Sequence, residues 1–319
     1  MSSAPESSTR ESSNLRLRVT AVHQEAEGVI SLRLCSASDQ SLPEWQPGAH
    51  IDLELSPGLV RQYSLCGDPA VAREWRIAVL LESDGRGGSK RIHESVYPGD
   101  VLRANGPRNN FALVDSERYL FIAGGIGITP ILAMVREVAA RTNAWTLLYG
   151  GRTRQSMAFV EELREYGGGE RYIRPEDQFG LLDLDHFLDA LDPRTTVYCC
   201  GPGPLLDAVA QRCPSESLHL ERFTAGPAAS SGGFEVRLAR SLDRLHVPDG
   251  TSLLEALEDA GYEITNSCRA GICGTCLLTV SKGIPDHHDD VLTDDEYESN
   301  AMILPCVSRS KTDVLVLDL

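Results

Sequence analysis

Asn266-Ser267-Cys268-Arg269-Ala270-Gly271-Ile272-Cys273-Gly274-Thr275-Cys276 carries the strongest chemical signal in the chain, and Cys306 answers it thirty residues on. Four residues separate Cys268 from Cys273 and two separate Cys273 from Cys276. A C-x4-C-x2-C…C spacing wraps a loop around a [2Fe–2S] cluster, which a distant fourth thiolate closes. Four thiolates on sulfide-bridged irons carry net negative charge, so the loop must aim backbone N–H groups at sulfur. Gly271 and Gly274 permit that close folding, because they lack a Cβ and tolerate positive φ. A zinc site could use the same four thiolates. Zinc sites usually pair two C-x2-C knuckles, and only one such pair is present. Cys268, Cys273, Cys276 and Cys306 are therefore the expected metal ligands, and one-electron traffic is the expected chemistry.

Working outward, 319 residues suffice for two or three domains with cores of their own. No apolar run approaches the length of a membrane span. The opening Met1-Ser2-Ser3-Ala4-Pro5-Glu6 lacks the apolar core of a secretory signal, and residues 1–13 read as a disordered tail. Nine cysteines, four of them committed to a cluster, point to a reducing cytoplasm rather than a disulfide framework. Cys35, Cys66, Cys199 and Cys213 read as buried inert thiols. A net charge of −16 argues against nucleic acid or an anionic membrane as a partner. From Pro227 onward 16 acidic residues face 7 basic ones, a balance of −9, against −7 for the longer part before it. That excess is either a solvated face or a docking surface for a basic redox partner.

From residue 14 to 112 short alternating runs are broken by turns: Leu15-Arg16-Leu17-Arg18-Val19, Ile30-Ser31-Leu32-Arg33-Leu34, Ile51-Asp52-Leu53-Glu54-Leu55 and Ile77-Ala78-Val79-Leu80. Antiparallel strands at this spacing imply a small β-barrel. Arg61-Gln62-Tyr63-Ser64 offers a cation for a phosphate and a flat wall for a flavin ring. Gly85-Arg86-Gly87-Gly88-Ser89-Lys90 leads into a helical Arg91-Ile92-His93-Glu94-Ser95-Val96, and free N–H groups at a helix start favour phosphate. Either motif alone fits an ordinary strand or loop. Together and in this order they resemble the flavin barrel of the ferredoxin–NADP reductase superfamily. With a trailing ferredoxin they resemble its phthalate dioxygenase reductase and vanillate demethylase reductase group. That resemblance implies FMN, with FAD less favoured, held by Arg61, Tyr63, Ser64, Gly87, Gly88 and Ser89.

Residues 113–226 change period. Tyr119-Leu120-Phe121-Ile122-Ala123 is a buried strand, followed by Gly124-Gly125-Ile126-Gly127-Ile128-Thr129-Pro130 and an apolar helix from Ile131 to about Arg141. Thr129 is the expected N-cap, with Pro130 in the first turn. Strand, glycine turn and helix seat a pyrophosphate on a helix N-terminus. Further strand–helix alternation makes this a doubly wound α/β domain. The G-G-x-G-x-T-P turn is similar to that of the reductase superfamily, which implies a nicotinamide dinucleotide at Gly124, Gly125, Gly127, Thr129 and Pro130. By the same resemblance Cys200-Gly201-Pro202 lies near the nicotinamide and Phe223 against the flavin. Arg152 stands where the adenosine ribose is expected. An arginine there could favour NADPH, whereas the resemblance favours NADH.

Gly226-Pro227-Ala228-Ala229-Ser230-Ser231-Gly232-Gly233 is a small-residue boundary, with residues 227–233 as linker. Residues 234–319 then show a hairpin, a helix capped by Ser252 and Glu255, the cluster loop and two further strands. This third domain resembles the β-grasp of plant-type ferredoxins. In Asp286-His287-His288-Asp289-Asp290 relatives commonly carry His then Arg. The paired histidines read as solvated rather than metal-binding.

A hydride delivers two electrons at once and a [2Fe–2S] centre accepts one, so a flavin that takes pairs and releases singles belongs between them. The expected path is NADH, flavin, cluster, with no acid–base triad. At about −400 mV for plant-type clusters, such a protein could reduce a Rieske centre, and the resemblance implies a Rieske oxygenase that hydroxylates or demethylates aromatic acids and similar small molecules. A reductase for a cytochrome or a diiron oxygenase is one alternative, although the latter usually place the ferredoxin first. A redox sensor without turnover is another.

Overall fold

Strands that alternate apolar and polar residues must close on themselves or stack to hide their apolar face. The computed structural model describes residues 15–57, 59–83, 87–142, 144–189, 191–223, 232–266, 268–269, 271, 274–289 and 291–319. In it the N-terminal run closes with six antiparallel strands: β1 (Leu15–Ala26), β2 (Val29–Ser36), β3 (His50–Ser56), β4 (Leu59–Ser64), β5 (Trp75–Leu80) and β6 (Val101–Arg108). Their order is β4-β3-β6-β1-β2-β5, and an antiparallel bridge from Leu65 to Ile77 joins the two edges into a barrel. Leu17, Leu32, Leu34, Ile51, Leu53 and Ile77 fill it with no exposed surface. Helix α1 (Gly88–Ser95) adds Ile92 to the same cluster. This helix starts three residues before the expected Arg91. Gly87, with φ 79, is its N-cap, so Gly88 and Ser89 form the first turn. A left-handed residue bends the chain sharply into the helix, which glycine does without strain. Gly85 and Arg86 lie outside the described residues.

The second unit is a parallel sheet of β7 (Arg118–Gly124), β8 (Trp145–Gly151), β9 (Glu170–Pro175), β10 (Thr195–Cys200) and β11 (Leu218–Glu221), in the order β11-β10-β7-β8-β9. Its helices are α2 (Ile128–Ala139), α3 (Val160–Glu165), α4 (Glu176–Phe179), α5 (Leu184–Leu188) and α6 (Gly203–Ala210). Phe121, Ile131, Met134 and Tyr149 pack on one face, and Ile122, Leu148, Val197 and Leu206 on the other. Both faces are covered, as a doubly wound sheet requires. Strand order reverses between β7 and β10, and the carboxyl ends of the strands at such a switch point are where doubly wound sheets bind ligands in a crevice. Thr129 is not the N-cap of α2. A 3-10 turn over Gly125–Gly127 runs straight into the helix and makes Gly127 the cap, while Thr129 Oγ1 donates to the Ile126 carbonyl at 3.0 Å.

The third unit contains β12 (Phe234–Leu238), β13 (Arg244–Val247), β14 (Leu278–Lys282), β15 (Pro285–Asp286), β16 (Met302–Ile303), β17 (Arg309–Ser310) and β18 (Val314–Leu317), with α7 (Leu253–Asp259) and α8 (Asp294–Ser299). The sheet order is β13-β12-β18-β14-β16, with β12 and β18 parallel. Leu253 and Leu257 of α7 pack on Val236, Leu315 and Leu317. Ser252 and Glu255 form a capping box at the start of α7, as their spacing implies. The expected tail and most of the expected linker, through Ser231, lie outside the described residues. Among the described residues no helix is long and apolar enough to cross a membrane.

Candidate functional site

At the crevice, β7 delivers Gly124 against β10. A Cβ on Gly124 would meet Pro202 Cδ at 2.7 Å and Leu205 Cδ2 at 2.8 Å. One on Gly127 would stand 2.2 Å from the Cys200 carbonyl oxygen. These glycines let the turn press on Cys200-Gly201-Pro202. Gly125 differs, since it has φ 56 and open space where a Cβ would point. The α2 N-terminus follows directly, capped by Gly127, with the Ile128 N–H already bonded to the Gly125 and Ile126 carbonyls. Pro130 sits buried in its first turn. The residues present fit a pyrophosphate here.

Cys200 is fully buried at the end of β10, and its Sγ lies 3.9 Å from Oε2 of Glu221. Burial pushes the Cys200 thiol well up, with Glu221 adding to the effect. It also pushes the Glu221 carboxyl up to about 8. The Cys200 thiol keeps its proton at neutral pH, and the Glu221 carboxyl is shifted strongly toward its protonated form. The sequence reading missed Glu221, although an acidic residue closing a short strand was a visible signal. Phe223, 37% exposed, follows it at the rim. Arg152 lies just past β8, where its carbonyl accepts from the Asp177 N–H at 3.1 Å. Parallel pairing of Gly151 with Pro175 brings Glu176 and Asp177 beside the Arg152 loop. No local signal in the sequence could have shown that.

On the barrel, Arg61 of β4 lies across the first turn of α1, because a Cβ on Gly88 would meet Arg61 Cγ at 2.6 Å and Nε at 2.8 Å. A guanidinium and an eight-residue helix N-terminus thus converge, the donor set that a phosphate needs. Ser89 Oγ accepts from the Glu82 N–H at 3.1 Å and ties the turn to the barrel. Tyr63 packs against the barrel core, and burial raises its hydroxyl so the ring stays neutral. Ser64, buried, pairs with His50 across the β3–β4 register.

The cluster loop brings Cys276 Sγ to 3.4 Å from Cys306 Sγ. That is far beyond a disulfide of about 2.05 Å and suits two thiolates sharing a metal centre. Cys268 also hydrogen-bonds Cys306, and the Gly271 backbone N–H points at the same sulfur. Cys273 lies outside the described residues. Arg269 takes φ 55 between the loop's cysteines, and its Nη2 donates to both oxygens of Glu258 on α7 at 2.5 and 2.6 Å. Asp289 buttresses the other side: its Cα would be 3.1 Å from a Cβ on Gly271, and it accepts from Leu292 N–H at 3.0 Å. The histidines are not a solvated pair. His288 is exposed and bonds Asp286 at 3.0 Å, whereas His287 turns inward, 4.8 Å from the Tyr297 ring. Cys35 is likewise only half-buried, unlike Cys66, Cys199 and Cys213.

A cavity of about 650 Å³ separates Val60 and Arg61 of the barrel from Glu258, Tyr262, Asn266 and Arg269 of the third unit. Arg61 of β4 and the cluster-loop residues Asn266 and Arg269 therefore line one space.

Residues 236–311 match the 2Fe-2S iron-sulfur cluster binding domain, and residues 121–174 match the oxidoreductase NAD-binding domain. The chain is 39% identical over 314 residues to a vanillate O-demethylase oxidoreductase of Pseudomonas sp. (strain HR199 / DSM 7063), covering 94% of this chain and 98% of that one. The structure of phthalate dioxygenase reductase, a modular structure for electron transfer from pyridine nucleotides to [2Fe–2S], superposes with a TM-score of 0.72. It is 34% identical, over 96% of this chain and 98% of that one. An intact type IV self-sufficient cytochrome P450 monooxygenase superposes with a TM-score of 0.81 and 36% identity over 96% of this chain, which spans 41% of that longer one. On this identity and coverage the chain belongs to the phthalate dioxygenase reductase and vanillate O-demethylase oxidoreductase family, NAD(P)H-dependent oxidoreductases with a flavin barrel, an α/β NAD domain and a C-terminal [2Fe–2S] ferredoxin domain.

Proposed function

We propose that the chain oxidises NADH, passes the electrons through FMN to its own [2Fe–2S] cluster, and delivers them singly to a Rieske-type oxygenase of aromatic substrates. The observation that carries the flavin-to-cluster step is the shared cavity, which Arg61 of the flavin strand lines together with Asn266 and Arg269 of the cluster loop. When bound, the flavin converts a hydride into single electrons. The chain's own residues do the rest. Gly124, Gly125, Gly127, Thr129 and Pro130 form the pyrophosphate seat, and Cys200, Gly201 and Pro202 wall the nicotinamide. Arg61 with Gly87, Gly88 and Ser89 cradles the flavin phosphate, while Tyr63, Ser64 and Phe223 border its ring. Cys268, Cys273, Cys276 and Cys306 hold the cluster. The flavin, nucleotide and ferredoxin units divide near residues 112 and 226.

Asp177 beside Arg152 supports NADH, because a carboxylate suits a ribose 2′-hydroxyl and repels a 2′-phosphate. Among the described residues eight cysteines stand outside any disulfide, which fits a reducing cytoplasm. A second reading, a haem oxygenase as acceptor, is favoured by the superposition on the cytochrome P450 chain. Product formation by a purified Rieske oxygenase and by a purified cytochrome P450, each supplied with this protein and NADH, separates the two. Turnover with the P450 alone would sink the Rieske assignment, and a higher kcat/KM for NADPH would sink the assignment of NADH.

A further inference from the structure

Glu162 belongs to α3 in the nucleotide-binding unit, yet its carboxylate is gripped from the barrel. Arg76 of β5 donates Nη1 to Oε2 and Nη2 to Oε1, both at 2.9 Å. Arg136 Nη2 reaches Oε1 at 2.7 Å, and the Tyr166 hydroxyl donates to the same oxygen at 2.7 Å. The Arg76 and Glu162 side chains are only 11% and 20% exposed. Exposed ion pairs contribute little, but an enclosed two-pronged pair with two further donors fixes geometry. Burial opposes ionisation of Glu162. Arg76, Tyr166 and Arg136 outweigh it and hold the carboxyl below its ordinary range.

Two lines of contact leave this carboxylate. Toward the flavin strand, Arg76 Nη2 also donates to the Cys66 carbonyl at 2.9 Å, two residues past Ser64. The Cys66 N–H returns to the Arg76 carbonyl at 2.8 Å. Toward the nucleotide, Arg136 rides on α2, the helix that begins at the glycine turn. The chain also accepts strain at this point. Phe159 takes a left-handed φ of 59, unfavourable for an aromatic residue, and lies with its ring 4.9 Å from the Arg76 guanidinium.

We propose that Glu162 is a positioning residue for hydride transfer: through Arg76 and Arg136 it fixes the flavin strand against the dinucleotide-binding turn. This rests on the reading that NADH reduces a flavin held by residues 61–64. Hydride transfer depends steeply on approach distance, and a misplacement of about 1 Å can slow a reaction a hundredfold.

The test uses the full-length holoprotein with Glu162→Gln, which keeps the side-chain shape and leaves two arginines without their shared anion. Glu162→Asp is the conservative control, and Arg136→Met releases α2 alone. Flavin bleaching at saturating NADH should slow about tenfold or more in Glu162→Gln and in Arg136→Met, while KM moves little. The primary isotope effect from deuterated NADH should grow, and Glu162→Asp should recover part of the rate. Independently of turnover, amide exchange should quicken together in residues 64–67 and 125–131, with flavin content unchanged. Bleaching at the wild-type rate, or exchange altered only within α3, would overturn the proposal. Should Glu162→Gln not fold, Arg136→Met decides by the same measures. A wild-type protein that NADH does not bleach would overturn the functional reading itself.

Discussion

Oε2 of Glu221 and Sγ of Cys200 stand 3.9 Å apart at the carboxyl ends of β11 and β10, where the parallel register pairs the two residues. Burial lifts the Glu221 carboxyl from its ordinary 4.5 to about 8, opposed by the Cys200 hydrogen bond. Between those values the folded protein keeps a proton that the unfolded chain releases. Stability therefore falls as pH rises through that window and stops falling above it. Glu221→Gln removes the titration. Its melting temperature, relative to wild type, should climb from about pH 5 to about pH 9. Parallel pH profiles for the two proteins would contradict the burial of this carboxyl.

Gly127→Ala should damage nucleotide binding more than Gly125→Ala. The first would set a Cβ 2.2 Å from the Cys200 carbonyl oxygen and 2.5 Å from its carbon, and backbone cannot step aside as a flexible side chain does. Overpacking of this kind typically costs about 1–3 kcal/mol. The second meets no protein atom within 4 Å and strains only a φ of 56, roughly 1–2 kcal/mol. Steady-state reduction of ferricyanide by NADH should show KM raised about tenfold or more for Gly127→Ala, with flavin and iron content intact. Equal KM values for the two variants would remove the close approach of β7 and β10 from the account.

What the sequence disclosed was chemistry held in short spacing. Cys268, Cys273 and Cys276 fall within nine residues, and Gly124 to Pro130 spell a turn whose glycines have one physical purpose. Barrel strands such as Leu15–Ala26 announce themselves by alternation, since each has one face on the core. What stayed hidden depends on contacts between distant segments. Asp177 meets Arg152 only because β8 and β9 run parallel. Glu221 looks like any charged strand end until burial raises its carboxyl. His287 and His288 are neighbours in sequence, yet one packs on Tyr297 and the other faces water. Thr129 has the right chemistry for a cap, but the 3-10 turn before it took that position first.

Cys306→Ser should separate the flavin half of the reaction from the cluster half. The Cys306 sulfur stands 3.4 Å from Cys276 Sγ and receives the Gly271 N–H, whereas a serine hydroxyl supplies no thiolate to iron. The variant should lose its acid-labile sulfide and the visible absorbance of the cluster. Reduction of ferricyanide by NADH, which the flavin alone can serve, should persist within about twofold, while cytochrome c reduction falls at least about tenfold. Full cytochrome c activity without sulfide would mean that electrons leave from the flavin.

Arg61 lies over Gly88 at the start of α1, and in the proposed site its charge and the helix N-terminus would act on one phosphate. A charge-assisted hydrogen bond to phosphate contributes about 1.5–3 kcal/mol, which is roughly tenfold to a hundredfold in affinity. Arg61→Gln should weaken FMN by that factor and leave riboflavin, which has no phosphate, almost untouched. Gly88→Ala should act more mildly, because its Cβ meets the flexible Arg61 side chain at 2.6 Å rather than backbone. Flavin fluorescence quenching on titration of the apoprotein measures both. The comparison with riboflavin separates lost phosphate recognition from general damage to the barrel. A proportionate loss of both flavins would place the phosphate elsewhere and reduce Arg61 to a packing role.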